Sequence, residues 1–237
     1  MRVLEQDLNN TGGDGTPISF TSAEIRHRYD RIAPRYDLLG GILEILGIGR
    51  LRGSLLRRAS GRVLEVAAGT GRGFPYYSAR CKITAVDLSP GMLRIARKRA
   101  RRRHPGVTLR VADALELPFA SGSFDTIVSC LSLCTFPEPV ATLREMARVC
   151  RGSGRVLLLE HGRSDRERVG SWQDRKADGH ARFLGCQWNR EPLALLREAG
   201  LTPVAARRFF LGIFHEIEAL PTNHRQPGQE LRTKTLP

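Results

Sequence analysis

Val63-Leu64-Glu65-Val66-Ala67-Ala68-Gly69-Thr70-Gly71-Arg72-Gly73 is the stretch that decides the fold. Its first five residues form an apolar run of strand length, the kind buried on both faces of a parallel sheet. Glycines then alternate at 69, 71 and 73. Such positions let the backbone take positive φ and pass close to a ligand, and a helix N-terminus after them offers free amides. The spacing is not the G-x-G-x-x-G of a dinucleotide site and no G-K-S/T follows, so neither NAD nor a P-loop nucleotide is the first expectation.

The same texture repeats on either side. Ile83-Thr84-Ala85-Val86-Asp87 reads as a second strand, with others over 107–111, 123–129 and 155–160. Helical periodicity covers 90–102 and 139–150, and a further helix over 190–199 is stopped by Gly200. Two late strands fall near 202–210 and 213–220. Strands alternating with helices imply an α/β, Rossmann-like, mostly parallel sheet covered on both faces. Upstream, Thr21 and Glu24 form a capping box, opening a helix expected to end at Ala33 before Pro34. A second helical region is expected over 38–59, apolar at first and then alternating leucines with Arg50, Arg52, Arg57 and Arg58. Two fates are open to this basic amphipathic region: docking on an anionic membrane, or burial of Leu43, Leu46, Leu51 and Leu55 against the sheet. Residues 161–188 are polar with little regular signal.

The chain has 237 residues, 41% hydrophobic and 26% charged, which fits one generous globular domain and excludes collagen-like and wholly disordered classes. Residues 1–20 are expected to be a flexible leader and 222–237 a flexible tail around a domain over 21–221. No run reaches the roughly 20 apolar residues of a spanning helix, and no secretory pattern opens the chain, so a cytoplasmic protein is expected. The five cysteines are scattered, with no C-x-x-C pair and no zinc spacing, so the spacing supports no metal and they read as reduced core thiols. The net charge of +14 points to an anionic partner without choosing among nucleic acid, lipid and acidic substrate.

In an open α/β sheet, ligands bind beyond the carboxyl ends of the strands. Three successive strand ends carry the glycine turn, Asp87, and Asp113-Ala114. Asp87 is placed to accept from both hydroxyls of a ribose, and Asp113 to take the exocyclic amine of an adenine with the Ala114 amide facing a ring nitrogen. His161, just past the fifth strand, is the first candidate general base because the topology turns it to the cleft, and His215 is the second. Trp172 and Trp188 are candidates to line an apolar pocket, while Cys130 and Cys134 read as lining and not as nucleophiles.

Leu64-Glu65-Val66-Ala67-Ala68-Gly69-Thr70-Gly71, Ala85-Val86-Asp87-Leu88-Ser89-Pro90-Gly91-Met92-Leu93, and Asp113-Ala114-Leu115-Glu116-Leu117-Pro118-Phe119 with Ser123-Phe124-Asp125 together resemble the class I S-adenosylmethionine-dependent methyltransferases. Tyr29-Asp30-Arg31-Ile32-Ala33-Pro34-Arg35-Tyr36-Asp37 looks like the opening motif of their ubiquinone/menaquinone and phospholipid methyltransferase branch. Leu159-Glu160-His161-Gly162-Arg163 and Gly185-Cys186-Gln187-Trp188-Asn189-Arg190 resemble membrane-associated, thiol methyltransferase-like proteins. The resemblance implies a seven-stranded sheet with the last strand antiparallel, N-terminal lid helices over 21–60, and a substrate-side insert over 161–188. It implies S-adenosyl-L-methionine as cofactor, held by Tyr29, Tyr36, Glu65, Ala67, Gly69, Gly71, Asp87, Leu88, Met92, Asp113, Ala114 and Cys130. Methyl transfer to a small-molecule or lipid acceptor (quinone, phospholipid headgroup, thiol or secondary metabolite) is the activity implied. An RNA methyltransferase and a non-catalytic binding protein are the alternatives, nucleic acid being disfavoured by the lack of an Asn/Asp-Pro-Pro-Tyr strand end. Peripheral membrane contact through 38–58 is the partner expectation.

Overall fold

The computed structural model describes residues 19–41, 44–221 and the two-residue strand at 232–233. The expected leader thus lies almost wholly outside the described residues, as does most of the expected tail. The elements run α1 (Ser22–Leu39), a π-helical turn (Glu44–Ile48), α2 (Gly49–Leu56), β1 (Arg62–Val66), β2 (Lys82–Asp87), α3 (Pro90–Arg103), β3 (Thr108–Val111), β4 (Phe124–Cys130) and α4 (Pro139–Val149). They continue with β5 (Cys150–His161), α5 (Glu167–Leu184), α6 (Pro192–Glu198), β6 (Leu201–Phe209), β7 (Phe214–Pro221) and β8 (Arg232–Thr233). The sheet order is β3-β2-β1-β4-β5-β7-β6-β8, with β7 antiparallel to both its neighbours and β8 a short parallel addition beside β6. The register aligns Val66 with Val86 and Ser129, so the carboxyl ends of the central strands open on one edge.

Side chains alternate across each strand, and the alternation makes two cores. Leu64, Val66, Ile127, Val156, Leu158 and Ile217 meet α4 and α6 through Leu143, Met146 and Leu196. Val63, Ile83, Ala85, Val128 and Leu157 meet α2 and α3 through Leu55, Leu56, Leu93 and Ala96 on the other face.

Three expectations need correction. First, α1 does not stop at Ala33 but continues through Pro34 to Leu39. Proline inside a helix forfeits a hydrogen bond and costs about 3 kcal/mol, and tertiary ties on both sides of it offset that. Asp30 Oδ1 accepts from Ser89 Oγ at 2.5 Å and from the Gly91 amide at 2.8 Å. Asp37 accepts from Thr70 Oγ1 at 2.7 Å, Arg72 Nε at 2.8 Å and Arg99 Nη2 at 2.6 Å. Second, the region over 38–59 is broken at Gly47, whose φ of +135° no helix accommodates. Leu55 is fully buried, but Leu46 is 64% exposed, and Leu43 lies outside the described residues. Third, the stretch after Glu160 contains an 18-residue helix, α5. It lacks a side-chain N-cap and carries Gly170 and Gly179, which removes the usual start signal and weakens the intrinsic helix preference.

Candidate active site

The turn after β1 is tight. The Ala68 amide donates to the Val86 carbonyl at 3.0 Å and the Gly71 amide to Ala68 at 2.9 Å, with Ala67, Gly69 and Gly71 all at positive φ. A Cβ on Gly71 would lie 2.4 Å from the Phe74 ring, whereas one on Gly69 would meet nothing within 4 Å. Gly71 is therefore glycine for packing, and Gly69 leaves its face open to a ligand. No α-helix starts here, contrary to expectation; a three-residue 3₁₀ turn, Phe74–Tyr76, takes its place and supplies no helix terminus of free amides.

Beyond this turn lies a cavity of about 390 Å³, within the range of about 300–1,000 Å³ typical of small-molecule sites. Eleven of the twelve residues assigned to the cofactor line it: Tyr29, Tyr36, Glu65, Ala67, Gly69, Asp87, Leu88, Met92, Asp113, Ala114 and Cys130. Gly71 does not. His161 lines it, while His215 does not; that ring is buried on β7, opposite Glu160. Burial pushes His215 down to about 4, so it stays neutral near pH 7. Trp172 and Trp188 also stand outside the lining, their rings 5.1 Å apart. A larger hollow, about 630 Å³, opens at the amino ends of the strands near Arg62, Lys82 and Thr108, the wrong edge for an α/β ligand site.

Asp87 Oδ2 accepts from the Gly69 amide at 2.7 Å and Oδ1 from the Ser89 amide at 2.8 Å, so the carboxylate organises the turn it faces. Burial raises its pKa to about 6, against the pull of those two amides. Burial likewise raises Glu65 to about 7, opposed by the Tyr77 hydroxyl at 3.0 Å and by Arg52. A cationic ligand would relieve both costs. The Cys130 thiol is pushed up to about 12 by burial, which holds it protonated and unreactive.

The opening motif of the chain closes this cavity from above. Asp37 gathers Thr70, Arg72 and Arg99, and burial raises its pKa less than those three hydrogen bonds lower it. Glu44 adds ion pairs to Arg72 at 3.2 Å and to the buried Arg52. Asp30, Asp37 and Glu44 were not singled out from the sequence; their place beside Tyr29 and Tyr36 was the available signal.

The far end of the cavity is built from the two C-terminal motifs. Glu160 is fully buried and accepts from the Ser132 amide at 2.9 Å and the Leu133 amide at 3.0 Å, fixing the loop after β4. Arg190 Nη1 donates to the Leu133 and Phe136 carbonyls, and the Gln187 amide donates to Cys134 O at 2.9 Å. Gly162 is required because a Cβ there would lie 2.4 Å from the Arg190 carbonyl. This strapping brings Cys134, His161, His180 and Cys186 to the cavity wall. His161 Nε2 is 3.3 Å from Cys186 Sγ, and His180, stacked on Trp188 at 4.2 Å, meets the Cys186 carbonyl through Nδ1. Burial disfavours charge on His161, but the adjacent Cys134 sulfur and Glu160 outweigh it and leave the pKa raised.

The fit to S-adenosylmethionine rests on these features: an open glycine turn, an acceptor at the end of β2, a polar strand end at Asp113, an apolar wall at Leu88 and Met92, and buried carboxylates suited to a cation. A model of the methyltransferase domain family matches residues 64–158. The mitochondrial methyltransferase OMS1 of Saccharomyces cerevisiae is 30% identical over 90% of this chain and 48% of its own length. Phosphatidylethanolamine N-methyltransferase of Cereibacter sphaeroides is 43% identical over 45% of this chain and 53% of its own. Demethylmenaquinone methyltransferase of Renibacterium salmoninarum is 34% identical over 58% of each chain. The chain thus spans about half the length of these curated relatives. Among solved structures, an S-adenosylmethionine-dependent methyltransferase of Thermotoga maritima superposes with a TM-score of 0.65 at 21% identity, covering 83% of this chain and 99% of that one. The matched domain, the relatives and the fold agree: residues 64–158 match the methyltransferase domain family, within a chain of Rossmann-like fold that is similar to S-adenosylmethionine-dependent methyltransferases.

Proposed function

We propose that this protein transfers a methyl group from S-adenosylmethionine to a small-molecule or lipid acceptor presented at an anionic membrane surface. The observation that carries the reading is one continuous cavity with the glycine turn, Asp87 and Asp113 at one end and a soft, histidine- and cysteine-lined wall at the other. S-adenosylmethionine supplies the electrophilic methyl when bound. Asp87 takes the ribose, Asp113 with Ala114 the adenine, and α1 excludes water over the top, held by Asp30 and Asp37. Displacement at a methyl needs the acceptor at about 3–3.5 Å and in line, so positioning and dryness are most of the catalysis.

A membrane source for the acceptor is supported by exposed apolar side chains next in sequence to the cavity-lining Tyr36, Gly40 and Glu44 and on a turn that adjoins them. Leu38, Ile45 and Leu46 are exposed on the N-terminal elements, and Phe210 and Leu211 on the β6–β7 turn. The two groups adjoin, since a Cβ on Gly47 would lie 2.9 Å from the Phe210 ring. Exposed Arg35 and Arg50 flank them in sequence, and together these make an apolar patch with basic neighbours suited to an anionic leaflet. No described helix is long and apolar enough to cross a membrane. Quinones and phosphatidylethanolamine are the first acceptor classes to test, given the relatives that carry those substrates in their names.

The test is one incubation with methyl-labelled S-adenosylmethionine and vesicles doped with a demethylated quinone, phosphatidylethanolamine or a long-chain thiol. Label entering the organic phase, faster on anionic than on neutral vesicles and slowed by salt, is expected. Label confined to the aqueous phase with every acceptor contradicts the reading.

A further inference from the structure

We propose that Cys134, His161 and Cys186 form a three-ligand site for a zinc(II) ion, with its fourth position open to the acceptor end of the cavity. The three donor atoms, two sulfurs and one imidazole nitrogen, all lie within 4.8 Å of one another. In a tetrahedral ion with zinc–sulfur bonds near 2.3 Å and zinc–nitrogen bonds near 2.0 Å, donors stand about 3.5–3.8 Å apart. The Cys186 Sγ to His161 Nε2 separation of 3.3 Å already sits close to that edge. Small side-chain adjustments complete the triangle.

The site is built. Cys134 is 3% and Cys186 8% exposed, and each donor comes from a different segment: the loop after β4, the end of β5 and the loop after α5. Each segment is fixed by bonds that do not use the donor atom. Gln187 and Arg190 tie the loop after β4, Glu160 anchors the same loop from below, and the left-handed Gly185 ends α5 just before Cys186. Preorganised backbone of this kind lowers the cost of gathering three ligands. All three residues line the cavity, which gives a fourth ligand access to the ion from the acceptor end. Two thiolates and an imidazole suit a borderline-soft ion, and three protein ligands with one open position is the pattern of catalytic zinc.

Binding forms two zinc–sulfur bonds and one zinc–nitrogen bond, and the two thiol protons leave to buffer. His161 then serves as a ligand through Nε2 in place of the general base suggested by its position in the sequence. An ion there would hold an acceptor heteroatom as Lewis acid and keep it deprotonated.

The proposal uses the same cavity as the methyl-transfer reading but fails separately from it, because metal uptake is measured without S-adenosylmethionine. The full chain is stripped with chelator in a non-coordinating reductant and titrated with zinc(II) against a chromophoric competitor, then with cobalt(II). Expected are one tight zinc per chain and the thiolate-to-cobalt charge-transfer band with intense visible bands of a tetrahedral ion. Cys134→Ser, Cys186→Ser and His161→Ala should each weaken zinc by about 100-fold or more, while Cys81→Ser and Cys150→Ser, remote from the site, should bind as wild type does. Calorimetry of each variant with S-adenosylmethionine reports whether the cavity is still folded. No zinc uptake by the wild type, or equal uptake by wild type and the three ligand variants, overturns the proposal.

Discussion

Asp87→Ala should weaken S-adenosylmethionine binding by more than about 100-fold. Two hydrogen bonds from ribose hydroxyls to a buried carboxylate would be lost, each of about 1.5–3 kcal/mol. The carboxylate also holds the Gly69 and Ser89 amides, so its removal loosens the turn that faces the cofactor. Asp87→Asn, keeping one acceptor oxygen, should lose about tenfold. The wild type carries its own internal check in pH. Burial raises Asp87 to about 6, and ribose hydroxyls donate to its ionised form. Through this group affinity should level off above pH 7 and fall about tenfold per unit as pH drops below 6, with about half a proton released on binding at pH 6 and close to one below about pH 5. The Asp87→Ala variant should lose this component of the slope and keep only the part that Glu65, raised to about 7, contributes. Calorimetry in buffers of different ionisation enthalpy measures both affinity and proton release; equal affinity in the variant and the wild type would remove Asp87 from the site.

Glu160→Ala should cost about 2–4 kcal/mol of stability, because the Ser132 and Leu133 amides would be left buried without an acceptor. Glu160→Gln retains an acceptor and should cost less than about 1 kcal/mol. The pH dependence separates the two forms of the residue. Burial lifts the Glu160 carboxyl to about 7, above the roughly 4.3 of an unfolded glutamate. The folded state thus binds the proton more tightly, so this group's contribution is full below about pH 4 and is lost as pH rises through 7. Urea unfolding across pH 5–8 should show the Gln variant gaining on the wild type as pH rises. A Glu160→Ala protein as stable as wild type would show that the loop after β4 does not depend on this anchor.

How much of this was legible depended on how local the determinants were. The β1 turn could be read directly, since strand period and glycine placement are properties of adjacent residues, and Asp87 and Asp113 follow from strand ends. The continuation of α1 through Pro34 could not, because what offsets the proline is Asp37 reaching Thr70, Arg72 and Arg99 on other elements. Residues 161–188 lacked a side-chain cap and placed Gly170 and Gly179 inside the helix, yet α5 forms there, tied to the segment after it by Trp188 Nε1 donating to Gln173 O at 3.0 Å. His215 stood second to His161 as a candidate base, and alternation along β7 turns it to the opposite face. The grouping of Cys134, His161 and Cys186 had no spacing signature at all, since three separate segments bring it together.

The most direct test of the account is calorimetric titration of the purified full chain with S-adenosylmethionine and S-adenosylhomocysteine near pH 7.5. Saturable one-to-one binding of both at micromolar affinity is predicted. Absence of binding to either, in a protein shown to be folded, would contradict it.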